Sequence, residues 1–215
     1  MADNIQFVDL KKQYQPLKDE ILAGIGQALE GMHLFLGENV QAFEKEFASF
    51  TGAKHGIGVS DGTSALHLLL RALDIGPGDE VITVPNTFIA TAEAIALAGA
   101  RPVFVDIDPQ TYLMDLNQVE EKVTSHTKAL LPVHLYGQMA DMAALRGIAD
   151  KHGLKVIEAA CQAHGAEFGG RQAASFGDGA AYSFYFSKNL GAYGEGGFVS
   201  TDRKSTRLNS SHRIR

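Results

Sequence analysis

A lysine at position 188 closes a run of aromatic and small residues, Ser183-Phe184-Tyr185-Phe186-Ser187, with Asn189 next and Gly191, Gly194, Gly196 and Gly197 soon after. An amine buried at a strand end is held partly unprotonated, which suits it to Schiff-base formation with an aldehyde. The same pattern fits a lysine whose stem packs on the strand while its amine reaches water. Ser60-Asp61-Gly62-Thr63-Ser64 lies between Gly56-Ile57-Gly58-Val59 and the apolar stretch Ala65-Leu66-His67-Leu68-Leu69-Leu70. A strand that turns into a helix through glycine and hydroxyl residues presents free amides and a partial positive charge, a cup for phosphate. It also fits a plain helix cap. It is neither a Walker A loop nor a G-x-G-x-x-G fingerprint. Phe88, in Val84-Pro85-Asn86-Thr87-Phe88, is placed either to stack on a flat ligand or to join the core. In Glu158-Ala159-Ala160-Cys161-Gln162-Ala163-His164-Gly165, a thiol nucleophile with a histidine base is the weaker reading. Cys161 reads better as a small filler and His164 as a hydrogen-bonded core or rim group.

These residues need elements to position them. Val40, Phe43, Phe47 and Phe50 repeat at helical spacing over 38–50. Strands are expected at 56–59, 80–84, 103–105, 129–133, 155–157, 180–186 and 197–200. Helices are expected from Ala65, at 90–97, more weakly at 116–123, and from an Asp141 cap through Lys151. Gly76-Pro77-Gly78-Asp79 is a turn. Strands and helices alternate, so the fold class is α/β, with a mainly parallel central sheet and helices on both faces. In such sheets ligands bind beyond the carboxyl ends of the strands. Each group singled out above follows a strand. One ligand would use an aldehyde-binding lysine, a phosphate cup and an aromatic plate together: pyridoxal 5′-phosphate.

The bulk composition agrees with a globular chain. It has 215 residues, 45% of them hydrophobic and 20% charged, and a net charge of −6 from 19 bases and 25 acids. That apolar share supplies a core and excludes low-complexity disorder. No apolar run reaches the ~18 residues of a membrane span. The polar start, Met1-Ala2-Asp3-Asn4, predicts no secretory signal and a cytoplasmic location. Cys161 is the single cysteine, so an internal disulfide is excluded. A metal site is not expected, and the mild acidity argues against nucleic acid as a partner.

From Phe7 to Asp202 the sequence resembles the DegT/DnrJ/EryC1/StrS sugar aminotransferases, fold-type I enzymes that use pyridoxal 5′-phosphate. The resemblance rests on FVDLKKQYQPLKDEI, VSDGTSALHLLL, GDEVITVPNTFIATAEAI, ARPVFVDID, PVHLYGQ, IEAACQAHGAEFGGR and SFYFSKNLGAYGEGG, in that order. It implies an aspartate-aminotransferase-like large domain, and roles for particular residues. Lys188 would hold the cofactor aldehyde and, once freed, shuttle the proton. Gly62, Thr63 and Ser64, helped by Ser183, would hold the phosphate. Phe88 would stack on the ring and Gln162 would sit near its hydroxyl. An amino donor, usually glutamate, would load the amino group, which would then pass to a keto group on a nucleotide-linked sugar. A homodimer with sites at the interface is implied as well. Lys188 favours transamination over the related deoxysugar dehydratases, which replace this lysine. A non-catalytic regulatory protein on the same fold is the other alternative.

Two departures qualify the expectation. Ala159 stands where the family places an Asp that pairs with the ring nitrogen. Glu158 is adjacent, but neighbouring strand residues face opposite sides. The small C-terminal domain of the family is also expected to be missing, so full activity and dimerisation are not expected of these 215 residues. The expected organisation is an N-terminal arm and helix over 1–36, a cofactor-binding large domain over 37–203, and a tail over 204–215. The tail holds four bases and no acid, and without it the balance is 15 bases against 25 acids. It reads as a disordered tail or as sequence foreign to the protein, the latter preferred. His33–Gly37, His134, Tyr136 and Tyr193 are further pocket candidates, with structural roles equally open.

Overall fold

The computed structural model describes residues 8–203. The expectation for 204–215 lies outside the described residues. The described residues up to Ala42 form one compact unit and those from Phe43 another.

The first unit holds α1 (Leu10–Tyr14), α2 (Lys18–Gly31) and the start of α3 (Glu38–Phe50). Asp9 caps α1 by accepting from the Lys11 and Lys12 amides. Pro16 sits in the 3-10 turn that separates α1 from α2. A left-handed Met32 ends α2. Leu34, Phe35 and Leu36 are exposed in this structure, so they are not core.

The second unit runs through β1 (His55–Val59), α4 (Gly62–Ala72), β2 (Glu80–Thr83), α5 (Ala90–Leu97), β3 (Arg101–Phe104), β4 (Thr127–Leu130), α6 (Met142–His152) and β5 (Lys155–Ala159). It then adds a hairpin of β6 (Glu167–Phe168) and β7 (Arg171–Gln172), then β8 (Gly179–Ser183) and β9 (Gly197–Thr201). Seven strands form one sheet in the order β1-β9-β8-β5-β4-β2-β3. The pairings β2–β3, β2–β4, β4–β5 and β5–β8 are parallel. β9 runs antiparallel to both its neighbours, so β1 points the same way as β8.

Strand alternation separates the two faces of the sheet. On one face, Gly179 admits Leu69 of α4 so closely that a Cβ there would lie 2.5 Å from its Cδ2. On the other, Phe47 of α3 meets Tyr182 and Phe184 edge-on, with centroids 5.1 Å away in each case. The core lies in both layers. β8 and β9 are buried along their whole length, as a covered parallel-type sheet requires. α4 turns Ala65, Leu66, Leu69 and Leu70 onto the sheet as one helical stripe. α6 starts on an Asp141 cap to the Ala144 amide and ends at left-handed Gly153.

Two elements differ from expectation. Residues 116–123 form two 3-10 turns, Leu116–Gln118 and Glu120–Lys122, rather than a helix. Asp115 caps the Asn117 amide, and Val119 alone is fully buried, so no apolar stripe sustains a longer helix. The strand expected to reach Phe186 ends at Ser183. Beyond it the chain turns, tied by Phe184 N–H to Gly196 O and Ala192 N–H to Phe184 O. Gly191 makes the turn possible, since a Cβ there would lie 2.5 Å from the Phe186 carbonyl oxygen.

Candidate active site

The sheet brings several strand ends to one place. Gly197 pairs with Val59 on one side and with Ser183 on the other, which sets the exits of β1 and β8 side by side. Ala159 is level with Ala181, and Val133 bridges to Ala159. Beyond these ends lies a cavity of about 700 Å³. Its walls include Gly62 and Thr63 at the start of α4, Phe88 after β2, Val133 and His134 after β4, Gln162 after β5, and Ser183 and Lys188 after β8.

Six expected residues therefore face one space: Gly62, Thr63, Phe88, Gln162, Ser183 and Lys188. Ser64 does not line it; its amide and hydroxyl both donate to Asp61, at 2.7 and 3.1 Å. Lys188 stands in the turn after β8 and is half-buried, not buried at a strand end. Among the described residues its amine has no hydrogen-bond or ion-pair partner. Phe88 is 68% exposed, which removes it from the core and leaves an open aromatic face on the cavity. Gly62 is required by close approach, because a Cβ would lie 2.8 Å from Ser183 Cβ and 3.1 Å from Cys161 Sγ.

The residues after β5 divide by face. Ala159 pairs with Ala181, on the α4 side, and forms a wall of the cavity at 4% exposure. Glu158 pairs with Ala180 and faces the other way. It is fully buried and accepts four bonds: from His134 Nε2 at 3.0 Å and from the amides of Ala174, Phe176 and Gly177 at 3.0, 3.0 and 2.7 Å. Burial pushes its carboxyl up, but His134 and the backbone bonds outweigh that and hold it below the usual range. His134 Nδ1 accepts from the Ala140 amide at 3.2 Å, so Nε2 carries the proton that goes to Glu158. This fixes one tautomer and pins the loop that follows β4. In that loop Tyr136 is left-handed, with φ 57°, and its amide donates to Gln162 Oε1 at 2.9 Å. The Gln162 Nε2 group is then left for the cavity.

Cys161 is inert: its thiol donates to the Ala181 carbonyl at 3.5 Å, and burial pushes its pKa up to about 12. His164 is no base for it. Neither ring nitrogen makes a hydrogen bond of normal geometry, and the ring packs among Phe47, Tyr182 and Phe184. Burial lowers its pKa, partly offset by the nearby Ser183 backbone.

The donor set fits a phosphate ester with an aldehyde: helix-start amides, the Thr63 and Ser183 hydroxyls, an open amine and an aromatic face. The fit is incomplete at Ala159, which lines the cavity and would give a ring nitrogen there no carboxylate. Asp61, Thr87, Ser187 and Glu195 also line the cavity and had not been singled out one by one. Asp61, Thr87 and Ser187 lie within segments named above and Glu195 lies between Gly194 and Gly196, so the signal available was nearness to a strand end.

Fold and cavity together define an α/β protein of the aspartate-aminotransferase-like class. Residues 15–209 match the DegT/DnrJ/EryC1/StrS aminotransferase family, and the chain belongs to it. It is 52% identical over 197 residues to a UDP-N-acetyl-3-dehydro-alpha-D-glucosamine 3-aminotransferase of Acidithiobacillus ferrooxidans, covering 92% of this chain and 53% of that one. It is 51% identical over 199 residues to a pleiotropic regulatory protein of Geobacillus stearothermophilus, covering 93% and 54%. The solved structure of DesV from S. venezuelae in complex with a ketimine intermediate matches with a TM-score of 0.93 at 45% identity, over 96% of this chain and 56% of that one. The chain spans about half the length of the curated relatives it matches.

Proposed function

We propose that this chain carries the cofactor-binding part of a transaminase that uses pyridoxal 5′-phosphate to aminate a keto group on a nucleotide-linked sugar, with glutamate as donor. Pyridoxal 5′-phosphate, when bound, supplies an electron sink and carries the amino group from donor to acceptor. Lys188 Nζ is the amine that would hold it through its aldehyde carbon, and the same Nζ would hold the proton in transit. The Gly62 and Thr63 amides and the Thr63 and Ser183 hydroxyls hold the phosphate. Phe88 would cover one face of the ring, and Val133 and Ala159 give the cavity an apolar wall. Gln162 Nε2, with its Oε1 held by Tyr136, donates to the ring hydroxyl. A homodimer and a cytoplasmic location belong to the same proposal. No helix among the described residues is long and apolar enough to cross a membrane.

The observation that carries this reading is the Lys188 amine, unpartnered among the described residues, sharing one cavity with Thr63, Ser183 and Phe88. Incubation with pyridoxal 5′-phosphate, borohydride reduction and peptide mapping test it. A single modification at Lys188 is expected, with a visible absorption band that glutamate discharges. Modification elsewhere, or none, overturns it. A second reading, a regulatory protein that binds the cofactor without turnover, is favoured by Ala159 and by the name of the Geobacillus relative, a pleiotropic regulatory protein. A band that glutamate leaves unchanged would select it.

A further inference from the structure

We infer that Asp61 sets the affinity of this cavity for the phosphate ester, by keeping a fixed negative charge on the donors at the start of α4. The inference rests on the cofactor reading above and adds to it a residue that works against the phosphate. Asp61 is the cap of α4 and a wall of the cavity. Its Oδ1 accepts from the Ser64 amide at 2.7 Å. Its Oδ2 accepts from the Ser60 hydroxyl at 2.9 Å and the Ser64 hydroxyl at 3.1 Å. These bonds outweigh the effect of its partial burial and keep it ionised. Its backbone cannot withdraw, because Gly197 packs on it so tightly that a Cβ there would lie 2.2 Å from the Asp61 carbonyl oxygen.

The first-turn donors that a phosphate would use are therefore partly taken by an internal carboxylate. The charged residues lining the cavity are Asp61, Glu195 and Lys188, two acids against one base, and among the described residues no arginine lines it. A phosphate dianion entering here leans on neutral donors, with Asp61 as the nearest like charge to the helix start. In the empty cavity the same carboxylate satisfies α4, so it stabilises the unloaded protein and weakens loading.

Asn caps a helix about as well as Asp, so Asp61→Asn removes the charge and keeps the cap, whereas Asp61→Ala removes both. Three ligands separate the effects: pyridoxal 5′-phosphate, pyridoxal without the phosphate, and inorganic phosphate. For Asp61→Asn the dissociation constant for pyridoxal 5′-phosphate, read from the visible band, is expected to fall about tenfold, the scale of one like charge in a partly solvated site. Pyridoxal is expected to bind all three proteins alike. The rise in melting temperature on adding inorganic phosphate is expected to be larger for Asp61→Asn than for the parent. Asp61→Ala is expected to melt lower than either in the absence of ligand. Equal or weaker binding of pyridoxal 5′-phosphate and of inorganic phosphate by Asp61→Asn would overturn the inference. If no aldehyde attaches to Lys188 in any of the proteins, the cofactor reading fails, and the inorganic phosphate series still decides on Asp61.

Discussion

At the scale of single residues, Ala159 decides what β5 can offer to a ring nitrogen in the cavity. Its side chain faces the ligand space at 4% exposure, while Glu158 is committed to four donors on the opposite face. Ala159→Asp is expected to speed the reaction with glutamate by roughly tenfold or more, measured as discharge of the visible band, because a carboxylate would then meet the ring nitrogen. In the unloaded protein the new carboxylate is buried at the cavity wall with no ring nitrogen to meet, and stability is expected to fall by about 2 kcal/mol in a urea titration, with part recovered on adding cofactor. His164 offers a separate test. Burial lowers its pKa, so the folded state holds the neutral ring. That contribution is complete above the ordinary histidine range near ~6.5 and is lost as pH falls through it. His164→Phe is expected to gain about 1 kcal/mol by removing unsatisfied nitrogens, and to lose the drop in stability between about pH 7 and pH 5. The types of Lys188, Thr63 and Phe88 were legible in the sequence, because each follows a strand. The engagement of Ser64 with Asp61 was not, because a hydroxyl after a glycine fits a phosphate contact and a cap bond equally well.

At the scale of elements, β5 carries two opposed functions on alternate residues. Glu158 gathers the loops after β4 and β7, including Ala174, which sits at φ 83°. A left-handed alanine is held only if its surroundings over-determine it, and the bond from the Ala174 amide to Glu158 helps to do so. The depressed pKa of Glu158 gives the sign of its pH dependence: its contribution is present above the ordinary glutamate range and lost as pH falls through the folded value. Glu158→Gln is expected to cost about 3 kcal/mol at neutral pH, with the gap to the parent narrowing below about pH 4, measured by thermal melts across pH. Leu69→Ala, in the contact between α4 and β8, is expected to cost about 2–5 kcal/mol in the same melts. The alternation of helices and strands was readable because each apolar run has a turn signal at its end. The reversal of β9 was not, since a buried strand reads the same in either direction. Nor was the early end of β8: Phe184-Tyr185-Phe186 continues an apolar run, and only the pairing with residues 192 and 196 bends it away.

At the scale of the whole molecule, exposed aromatic residues lie on segments that line or adjoin the cavity walls: Phe88 at 68%, Tyr136 at 79% and Tyr193 at 66%. Such a surface suits a second protein copy better than water. Light scattering on a full-length version is expected to give twice its chain mass, and Tyr136→Asp together with Tyr193→Asp is expected to return the monomer. The family was legible because its motifs are local. The reversed β9 also has a consequence for how the protein comes into being. β1 emerges early during synthesis, yet its hydrogen-bonding partner is the strand at residues 197–201. Until those residues leave the ribosome, the growing polypeptide can assemble its βα units but not the cavity between the exits of β1 and β8. Any grip on a phosphate ester in that cavity would therefore arise in one step, once residues 197–201 have emerged, rather than strand by strand.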